Sequence, residues 1–392
     1  MRLCMVSETW APEINGVAHT LRRLSHELIR HGVTLDVIRP RPAVSMRAET
    51  GAAVPVRAEL HVPRLGLPGY RDVQIGLATP GRLRRFFQTQ RPDVIYLATQ
   101  GPLGLAARQA ALNAGIPVVA GWHTNFDHYC HDYGLAWLAS TTRRYLRHFH
   151  NGCTLTLAPT QQQVSDLAAC GIRRVCHLSR GIDGECFSPA KRDPALRRSW
   201  QAGEHQPVAL YAGRLAAEKN LTLVQEAFHA MEAVRPDMAQ VIVGDGPARQ
   251  QLQDALPNAY FTGFLPQAEL ARHYASADIF VFPSLSETWG NVVAEAMASG
   301  LCVVAYHHAA SAELINNGDN GITVAVEDQP AFINASVSLC QQPARYTRLG
   351  RTARLRALEQ RWSDIARQML TYLQHAQESY HASSSSCRIR PS

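Results

Sequence analysis

Lysine, paired cysteines and long apolar runs are scarce or absent in this chain of 392 residues. Only two of its 39 basic residues are lysine, Lys191 and Lys219. Its nine cysteines form no Cys-x-x-Cys pair, which speaks against a zinc or disulfide framework and favours buried thiols in a reducing compartment. No run approaches the roughly 20 apolar residues of a membrane span, and the apolar start of the chain is too short for a secretory signal. These absences predict a cytoplasmic protein.

Two motifs of nucleotide chemistry are also missing. No Gly-x-Gly-x-x-Gly opens the first helical segment, which argues against NAD or FAD. No Asp-x-Asp occurs that would hold Mg²⁺ on a diphosphate. A dense group of acidic and imidazole side chains, namely Asp127, His128, His131 and Asp132, has a spacing that matches no common metal site. We therefore expect no metal and no cofactor.

The charge is unevenly distributed along the chain. Residues 1–180 contain 21 arginines and 11 acidic residues, or +10, whereas residues 181–392 contain 18 basic and 21 acidic residues, or −3. The first part therefore favours an anionic partner, such as a phosphorylated ligand, an anionic lipid surface or nucleic acid. Nucleic acid is disfavoured because the exposed aromatic–arginine modules of RNA binders are absent.

Basic and aromatic residues are mixed between residues 129 and 150. Arg143, Arg144 and Arg147 share a predicted helix with aromatic and apolar neighbours. A segment of this composition can rest on an anionic bilayer. The open alternative is a solvated face over an ordinary core helix.

Short apolar segments alternate with amphipathic helical segments along most of the chain. Predicted strands over residues 2–6 and 33–38 flank a helix over 19–31, and the alternation resumes after the turn-rich segment 181–189. A last helical pattern covers about 343–380. A chain of this length suits two domains that each bury a core. The sequence therefore predicts two doubly wound α/β domains that face each other across a cleft.

Two carboxylates stand around a predicted helix start in the second half of the chain. An apolar strand ends before Pro283, and Glu287 lies in the following loop, while Glu295 lies about one turn inside the next helix. The backbone N–H groups at that helix start form a ready anion site. A ligand that carries both phosphate and hydroxyl groups, such as a nucleotide-sugar, suits this combination. The N–H groups in question are those of Gly290, Asn291 and Val292.

Further candidates follow other predicted strands. Arg214 and Lys219 flank a turn where open α/β sheets bind ligands, and two such cations can hold a diphosphate. The alternatives are solvated charges for this pair, and plain turns for Gly16 and Gly244. His123 follows an apolar strand and is either a cleft residue or a structural histidine.

Several segments together resemble the retaining glycosyltransferases of family 4, which have the GT-B fold. The most specific is Pro-Ser-x-x-Glu-Thr-Trp-Gly-Asn-Val-Val-x-Glu-Ala-Met-Ala-Ser-Gly, which contains Glu287 and Glu295. Gly213-Arg-x5-Asn, Gly244-Asp-Gly-Pro and Ser7-Glu-Thr-Trp-Ala-Pro-x-x-Asn-Gly-Val agree with it. The segments look most like those of GDP-mannose-dependent α-mannosyltransferases and the related glycolipid transferases.

The resemblance implies a domain plan and a role for each site residue. It implies an acceptor-binding Rossmann-like domain over 1–185, a nucleotide-sugar-binding one over 186–362, a crossover helix over 363–380 and a disordered tail over 381–392. The donor would be held through its diphosphate by Arg214 and Lys219 beside Gly16, through its sugar by Glu287 and His123, and through its ribose by Glu295.

The implied activity is retaining, metal-independent transfer of a hexose to a lipid or glycan hydroxyl. Mannose from GDP-mannose is the preferred donor group, and UDP-sugar transfer to diacylglycerol is the alternative. The enzyme would be cytoplasmic and peripheral at the inner face of the membrane. Two readings from other classes stay open at this point: a nucleotide-sugar epimerase and a non-catalytic anion-binding protein.

Overall fold

A computed structural model describes residues 1–13, 15–42, 53–67, 70–123 and 139–386. The chain divides into two compact units. Unit 1 combines Met1–Arg180 with Trp362–Ser392, and unit 2 is Gly181–Arg361. The first division lies five residues before the expected boundary at 185.

Unit 1 is built on a parallel sheet with the strand order β3-β2-β1-β6-β7-β8-β9, and β4 and β5 form a separate antiparallel pair. The described strands are β1 (Arg2–Val6), β2 (Thr34–Pro40), β3 (Ala58–Val62), β4 (Arg64–Leu67), β5 (Tyr70–Gly76), β6 (Val94–Leu97), β7 (Val118–Gly121), β8 (Leu155–Ala158) and β9 (Val175–His177). The described helices before the end of this sheet are α1 (Gly16–Arg30), α2 (Pro80–Gln90), α3 (Pro102–Asn113), α4 (Ala139–Asn151) and α5 (Gln161–Ala169).

The local sequence explains how α1 leaves the sheet. Asn15 is its N-cap, and the side-chain oxygen of Asn15 accepts from the Ala18 N–H at 2.9 Å. Leu21, Leu24 and Leu28 recur at helical spacing and are fully buried. The helix therefore begins three residues before the expected start and presents its first turn at the carboxyl end of β1.

Unit 2 has a parallel sheet with the order β12-β11-β10-β13-β14-β15. Its described strands are β10 (Val208–Ala212), β11 (Ala239–Val243), β12 (Tyr260–Gly263), β13 (Ile279–Phe282), β14 (Cys302–Tyr306) and β15 (Ile322–Val324). Its described helices are α6 (Pro194–Ser199), α7 (Leu221–Val234), α8 (Arg249–Ala255), α9 (Gln267–Ser276), α10 (Asn291–Ala298), α11 (Ala309–Leu314), α12 (Gln329–Cys340) and α13 (Pro343–Ala357), with short 3₁₀ turns at Pro189–Lys191 and Ala217–Lys219.

The central strands of unit 2 are buried on both faces, which explains why their sequences are apolar except for Gln240 in β11. Every residue of β10, β11 and β13 is buried. Phe280 stacks on Phe282 with ring centroids 5.5 Å apart, and Tyr211 stacks on Phe282 at 6.2 Å. This packed aromatic layer fixes the carboxyl ends of β10 and β13, where the candidate site residues follow.

The last helical pattern is interrupted, in contrast to the single run expected over 343–380. Helix α13 ends at Ala357, and the Ile182 N–H donates to the Gln360 carbonyl at 2.7 Å in the break. Helix α14 (Trp362–Ser386) then contacts α1, and its residues Met369 and Leu373 belong to the core of unit 1. The chain thus crosses back to unit 1, and the helix runs six residues past 380 into the segment expected as a disordered tail.

Among the helices of the described residues, none is both long and apolar enough to cross a bilayer.

Candidate active site

The candidate site of unit 2 lies where its strand order reverses. From β10 the chain runs to β11 and β12 on one side, and it then returns to β13, β14 and β15 on the other. Ligands of open α/β sheets bind outside the carboxyl ends of the strands at such a switch point. Arg214 and Lys219 follow β10, and Glu287 follows β13, so the fold brings these three predicted residues to one edge.

Lys219 and Glu287 form the central contact of this edge. The Lys219 Nζ lies 2.5 Å from Glu287 Oε1, and each side chain is 16% exposed. The Ser284 hydroxyl donates to the same carboxylate oxygen at 2.8 Å. The Lys219 ammonium and the Glu287 carboxylate are therefore held against each other. The family resemblance implied only that Lys219 contacts the diphosphate and Glu287 the sugar.

The turn that carries Lys219 is tied to the loop that carries Glu287. Asn220 has left-handed backbone angles, with φ 54°, directly after the 3₁₀ turn Ala217–Lys219. Its side-chain amide donates to the Pro283 carbonyl at 3.3 Å. The Arg214 side chain is exposed, and the Tyr211 hydroxyl donates to its backbone carbonyl at 3.3 Å.

Gly244 is required by the packing of two neighbouring turns. Its φ is 129°, and a Cβ there would lie 1.9 Å from the Gly213 carbonyl oxygen. The Gly213 N–H in turn donates to the Val243 carbonyl at 3.0 Å. A side chain at 244 would therefore displace the turn that begins with Gly213 and carries Arg214.

Helix α10 begins beside the Lys219–Glu287 pair. Gly290 is its N-cap with φ 87°, and a Cβ there would lie 3.4 Å from Glu287 Cγ. Asn291 and Val292 are the first two helical residues, and both are half-buried. The helix spans Asn291–Ala298, one residue shorter than expected.

Glu295 lies inside α10 and is only 9% exposed. Burial raises the pKa of this carboxyl from its usual 4.5 to about 7, and the nearby Tyr274 hydroxyl lowers it in part. A buried carboxylate of this kind changes protonation state near neutral pH. This shift could not be predicted from the sequence, because the burial comes from the folded core.

Gly16 and His123 lie in unit 1. Gly16 is the exposed first residue of α1, at the carboxyl end of β1. His123 lies two residues beyond β7, is only 7% exposed and has partners at both ring nitrogens. Its Nε2 lies 2.8 Å from the Tyr96 hydroxyl, and its Nδ1 lies 2.6 Å from Arg180 Nη2.

Glu8, Tyr96 and Arg180 were missed by the sequence reasoning. Glu8 follows β1 within the quoted Ser-Glu-Thr-Trp segment, and its Oε1 accepts from the Leu103 N–H at 3.1 Å. Burial raises the pKa of Glu8 to about 7, and backbone N–H groups lower it in part. Glu8 and Arg180 lie two and three residues beyond strands, and Tyr96 lies within β6; this placement is the one indication that the sequence offered.

The basic segment is described only in part. The structure does not describe residues 129–138 or the group Asp127, His128, His131 and Asp132. The prediction that this group holds no metal therefore lies outside the described residues. Arg143, Arg144 and Arg147 are exposed on α4. An open cavity of about 450 Å³ is lined by Arg144, Arg147, His148, Asn151, Gly152 and Arg173.

Two family patterns match the chain. The pattern described as "Glycosyltransferase Family 4" matches residues 14–185, and that described as "Glycosyl transferases group 1" matches residues 206–342. Each of the two α/β units is built on a parallel sheet, and the C-terminal helix returns to unit 1. Together with these features, the matches define a GT-B glycosyltransferase. The chain belongs to glycosyltransferase family 4 and is an enzyme of the hexosyltransferase type, which confirms the expected family and fold.

Curated relatives and a solved structure agree with this placement. The chain is 32% identical to a GDP-mannose-dependent alpha-mannosyltransferase of Corynebacterium glutamicum, over 95% of this chain and 88% of the relative. It is 34% identical to one of Mycolicibacterium smegmatis, over 94% of this chain and 96% of the relative. The structure of Anabaena HepE in complex with UDP and glucose superimposes with a TM-score of 0.75 at 19% identity, over 96% of this chain and 100% of that one.

Proposed function

We propose that the enzyme transfers mannose from GDP-mannose to a lipid or glycan hydroxyl, with retention of anomeric configuration and without a metal. The observation that carries the proposal is the Lys219–Glu287 ion pair at the strand switch point, on the same edge as Arg214. The donor assignment is supported by the two relatives at 32% and 34% identity, which are named for GDP-mannose.

The diphosphate of the donor is assigned to Arg214 and Lys219. Arg214 is exposed and presents a planar donor fork, whereas Lys219 is a point charge already oriented by Glu287. The N–H groups of Gly290, Asn291 and Val292 add the positive end of α10. Gly244 supports this arrangement by allowing the close approach to Gly213.

The hydroxyl groups of the donor are assigned to carboxylates. Glu287 lies with one oxygen on Lys219 and Ser284, and we assign its contact to the sugar hydroxyls. Glu295 is assigned to the ribose. In unit 1, Gly16 is assigned to the neighbourhood of the diphosphate and His123 to that of the sugar.

The chemical step consists of one substitution at the anomeric carbon. A bond forms between that carbon and the acceptor oxygen, while its bond to the diphosphate oxygen breaks on the same face. The departing phosphate oxygen takes the acceptor proton, so no protein base is needed. Arg214 and Lys219 stabilise the developing negative charge, each by a few kcal/mol as preorganised electrostatics.

Independence from metal follows from this assignment of charge. The two cations and the N–H groups of α10 take the place that a divalent ion holds in other diphosphate sites. Transfer is expected to keep its rate in excess EDTA. A rate that collapses with EDTA and returns with Mg²⁺ or Mn²⁺ would contradict this part of the proposal.

The acceptor is assigned to the membrane surface, and the enzyme to the inner face of the cytoplasmic membrane. Support comes from the +10 charge of residues 1–180 and from the exposed guanidinium groups of Arg144 and Arg147 around the cavity on α4. Flotation with anionic vesicles at low salt should retain the protein, and neutral vesicles should not. No flotation with anionic vesicles at low salt would contradict this assignment and favour a soluble or polysaccharide acceptor.

A donor panel tests the proposed function. Thermal shift is compared for GDP-mannose, UDP-glucose, UDP-galactose and UDP-glucuronate, since a ligand at 100 times its Kd adds about 2.7 kcal/mol. GDP-mannose should give the largest shift. A larger shift with a UDP-sugar would support transfer of that sugar to diacylglycerol instead. No shift with any of the four donors would contradict the donor assignment.

A further inference from the structure

Three side chains from three parts of unit 1 meet at the carboxyl edge of its sheet. Tyr96 lies in β6, His123 lies two residues beyond β7, and Arg180 lies three residues beyond β9. All three are buried, with 1%, 7% and 6% of their surface exposed. The His123 ring therefore has its hydrogen-bonding partners set by the fold.

The two contacts of the ring determine where its proton resides. A guanidinium group donates hydrogen bonds and accepts none. Arg180 Nη2, at 2.6 Å, must therefore donate to Nδ1 of His123, which leaves Nδ1 unprotonated. The ring proton is consequently on Nε2, which donates to the Tyr96 hydroxyl oxygen at 2.8 Å.

The group that contacts Nδ1 of His123 carries the opposite charge from the group that contacts this nitrogen in a proton-transferring histidine. In a catalytic triad, a carboxylate accepts from the second ring nitrogen and stabilises the imidazolium. Here a cation occupies that place. Burial and the positive charge of Arg180 both hold the pKa of His123 well below its usual range, and Arg180 and Tyr96 are the titratable groups that bond the ring.

Arg180 keeps its charge in this environment. Burial lowers the pKa of its guanidinium from 12.5 to about 10, so it is protonated at neutral pH. Burial also raises the pKa of Tyr96 to about 12, so its hydroxyl is neutral and can accept from Nε2. Both partners therefore keep one protonation state throughout the physiological range.

The backbone beneath the ring is also adapted to this contact. A Cβ on Gly121 would lie 2.1 Å from the Tyr96 hydroxyl oxygen and 2.5 Å from His123 Nε2. The Gln100 amide donates to the Gly121 carbonyl at 2.6 Å and fixes the strand end. A glycine at this position is therefore needed for the hydrogen bond between Tyr96 and His123.

We propose that Arg180 and Tyr96 are positioning residues that hold His123 in one orientation as the neutral Nε2–H tautomer. The ring then contributes to sugar transfer by its fixed placement and not by proton exchange. The part of this inference that concerns transfer rests on the proposed function, whereas the tautomer does not.

Nuclear magnetic resonance of the full chain with ¹⁵N-labelled histidine tests the tautomer directly. The His123 signals are assigned by their loss in His123→Gln. We expect the two-bond ¹H–¹⁵N pattern of an Nε2–H ring, unchanged between pH 5.5 and 8. An Nδ1–H pattern, or a ring that titrates in this range, would overturn the proposal without reference to any substrate.

Variants separate positioning from general stability. Arg180→Met should release the ring, so that His123 shows both tautomers and titrates, whereas Arg180→Lys keeps one donor and should preserve the Nε2–H pattern. Arg84→Met, on the exposed face of α2, is the matched control and should leave the spectrum unchanged. An Arg180→Met protein that keeps the wild-type pattern would remove Arg180 from the role.

Kinetics provide the second readout. Arg180→Met should lower kcat on the order of tenfold to a hundredfold with little change in donor KM, because a displaced ring costs orientation in the transition state. Adding it to His123→Gln should cause no further loss. Additive losses would show that Arg180 acts independently of His123. If the spectrum shows the expected Nε2–H pattern but Arg180→Met keeps the wild-type kcat, the proposed function is contradicted and the tautomer assignment is not.

Discussion

Glu295→Gln is the substitution whose effect can be worked out most fully from the structure. Burial raises the pKa of Glu295 in the folded chain to about 7, against 4.5 for the ordinary side chain. Between these values the folded state keeps a proton that the unfolded state has released. The contribution of Glu295 is therefore most favourable below about pH 4.5, is lost as pH rises to about 7, and is constant above that.

The size of the effect follows from the two pKa values. Each pKa unit is worth about 1.4 kcal/mol, so the full difference amounts to roughly 3 kcal/mol. Between pH 5 and pH 8 the wild type should lose about 2 to 3 kcal/mol of unfolding free energy relative to a protein with glutamine at 295. Glutamine is close to isosteric with the protonated acid, so the two proteins should be similar at pH 5.

Urea unfolding at four pH values between 5 and 8 measures this difference. The gap between Glu295→Gln and the wild type should widen in favour of the variant as pH rises. Glu226→Gln, at an exposed position of α7, is the matched control and should follow the wild type. A gap that stays constant over this range would refute the assignment of a buried titrating carboxyl.

The same titration bears on donor binding. A carboxylate accepts hydrogen bonds from both ribose hydroxyls, whereas a protonated carboxyl has less acceptor capacity. The affinity of the wild type for GDP should therefore increase between pH 6 and pH 8 relative to that of Glu295→Gln. Because the wild type and Glu295→Gln bind the same GDP, the titration of the GDP phosphate affects both affinities equally and cancels in the comparison. Parallel pH profiles would contradict the ribose assignment of Glu295.

Three further substitutions test other parts of the account. Lys219→Ala should lower kcat on the order of a hundredfold or more, at least as strongly as it weakens donor affinity. Lys191→Ala, which removes the other lysine, should leave kcat unchanged. Near-native turnover in Lys219→Ala would refute the phosphate assignment. Gly244→Ala should cost several kcal/mol in chemical unfolding because its Cβ meets the Gly213 carbonyl. Gly318→Ala, where φ is also positive at 83° but the space is open, should cost about 1 to 2 kcal/mol. Equal costs would refute the packing argument. Glu8→Gln should gain stability over the wild type as pH rises from 5 to 8, since burial raises the pKa of Glu8 to about 7; a pH-independent difference would speak against that burial.

Much of the fold could be predicted because its determinants are local. Strands β10 and β13 of unit 2 are buried on both faces and are apolar throughout, and α10 was placed to within one residue by its helix formers and Gly300. The break between α13 and α14 could not be predicted. It contains no glycine or proline, and the Ile182 N–H that contacts it at Gln360 lies 178 residues earlier in the sequence.

The site was predictable in composition and less so in geometry. Arg214, Lys219 and Glu287 follow strands, so their common edge could be inferred. The Lys219–Glu287 contact joins residues 68 positions apart, and the partners of His123 lie 27 and 57 positions away. Such pairings depend on how strands are ordered in the sheet, and no motif encodes that order.

The stereochemistry of mannose transfer tests the central claim most directly. The purified enzyme is incubated with GDP-mannose and an alkyl glycoside acceptor, and the product anomer is read from the one-bond coupling between C1 and H1. Retention predicts an α-linked mannoside from the α-linked donor, formed at an undiminished rate in EDTA. A β-linked product, or transfer from a UDP-sugar in preference to GDP-mannose, would contradict the account.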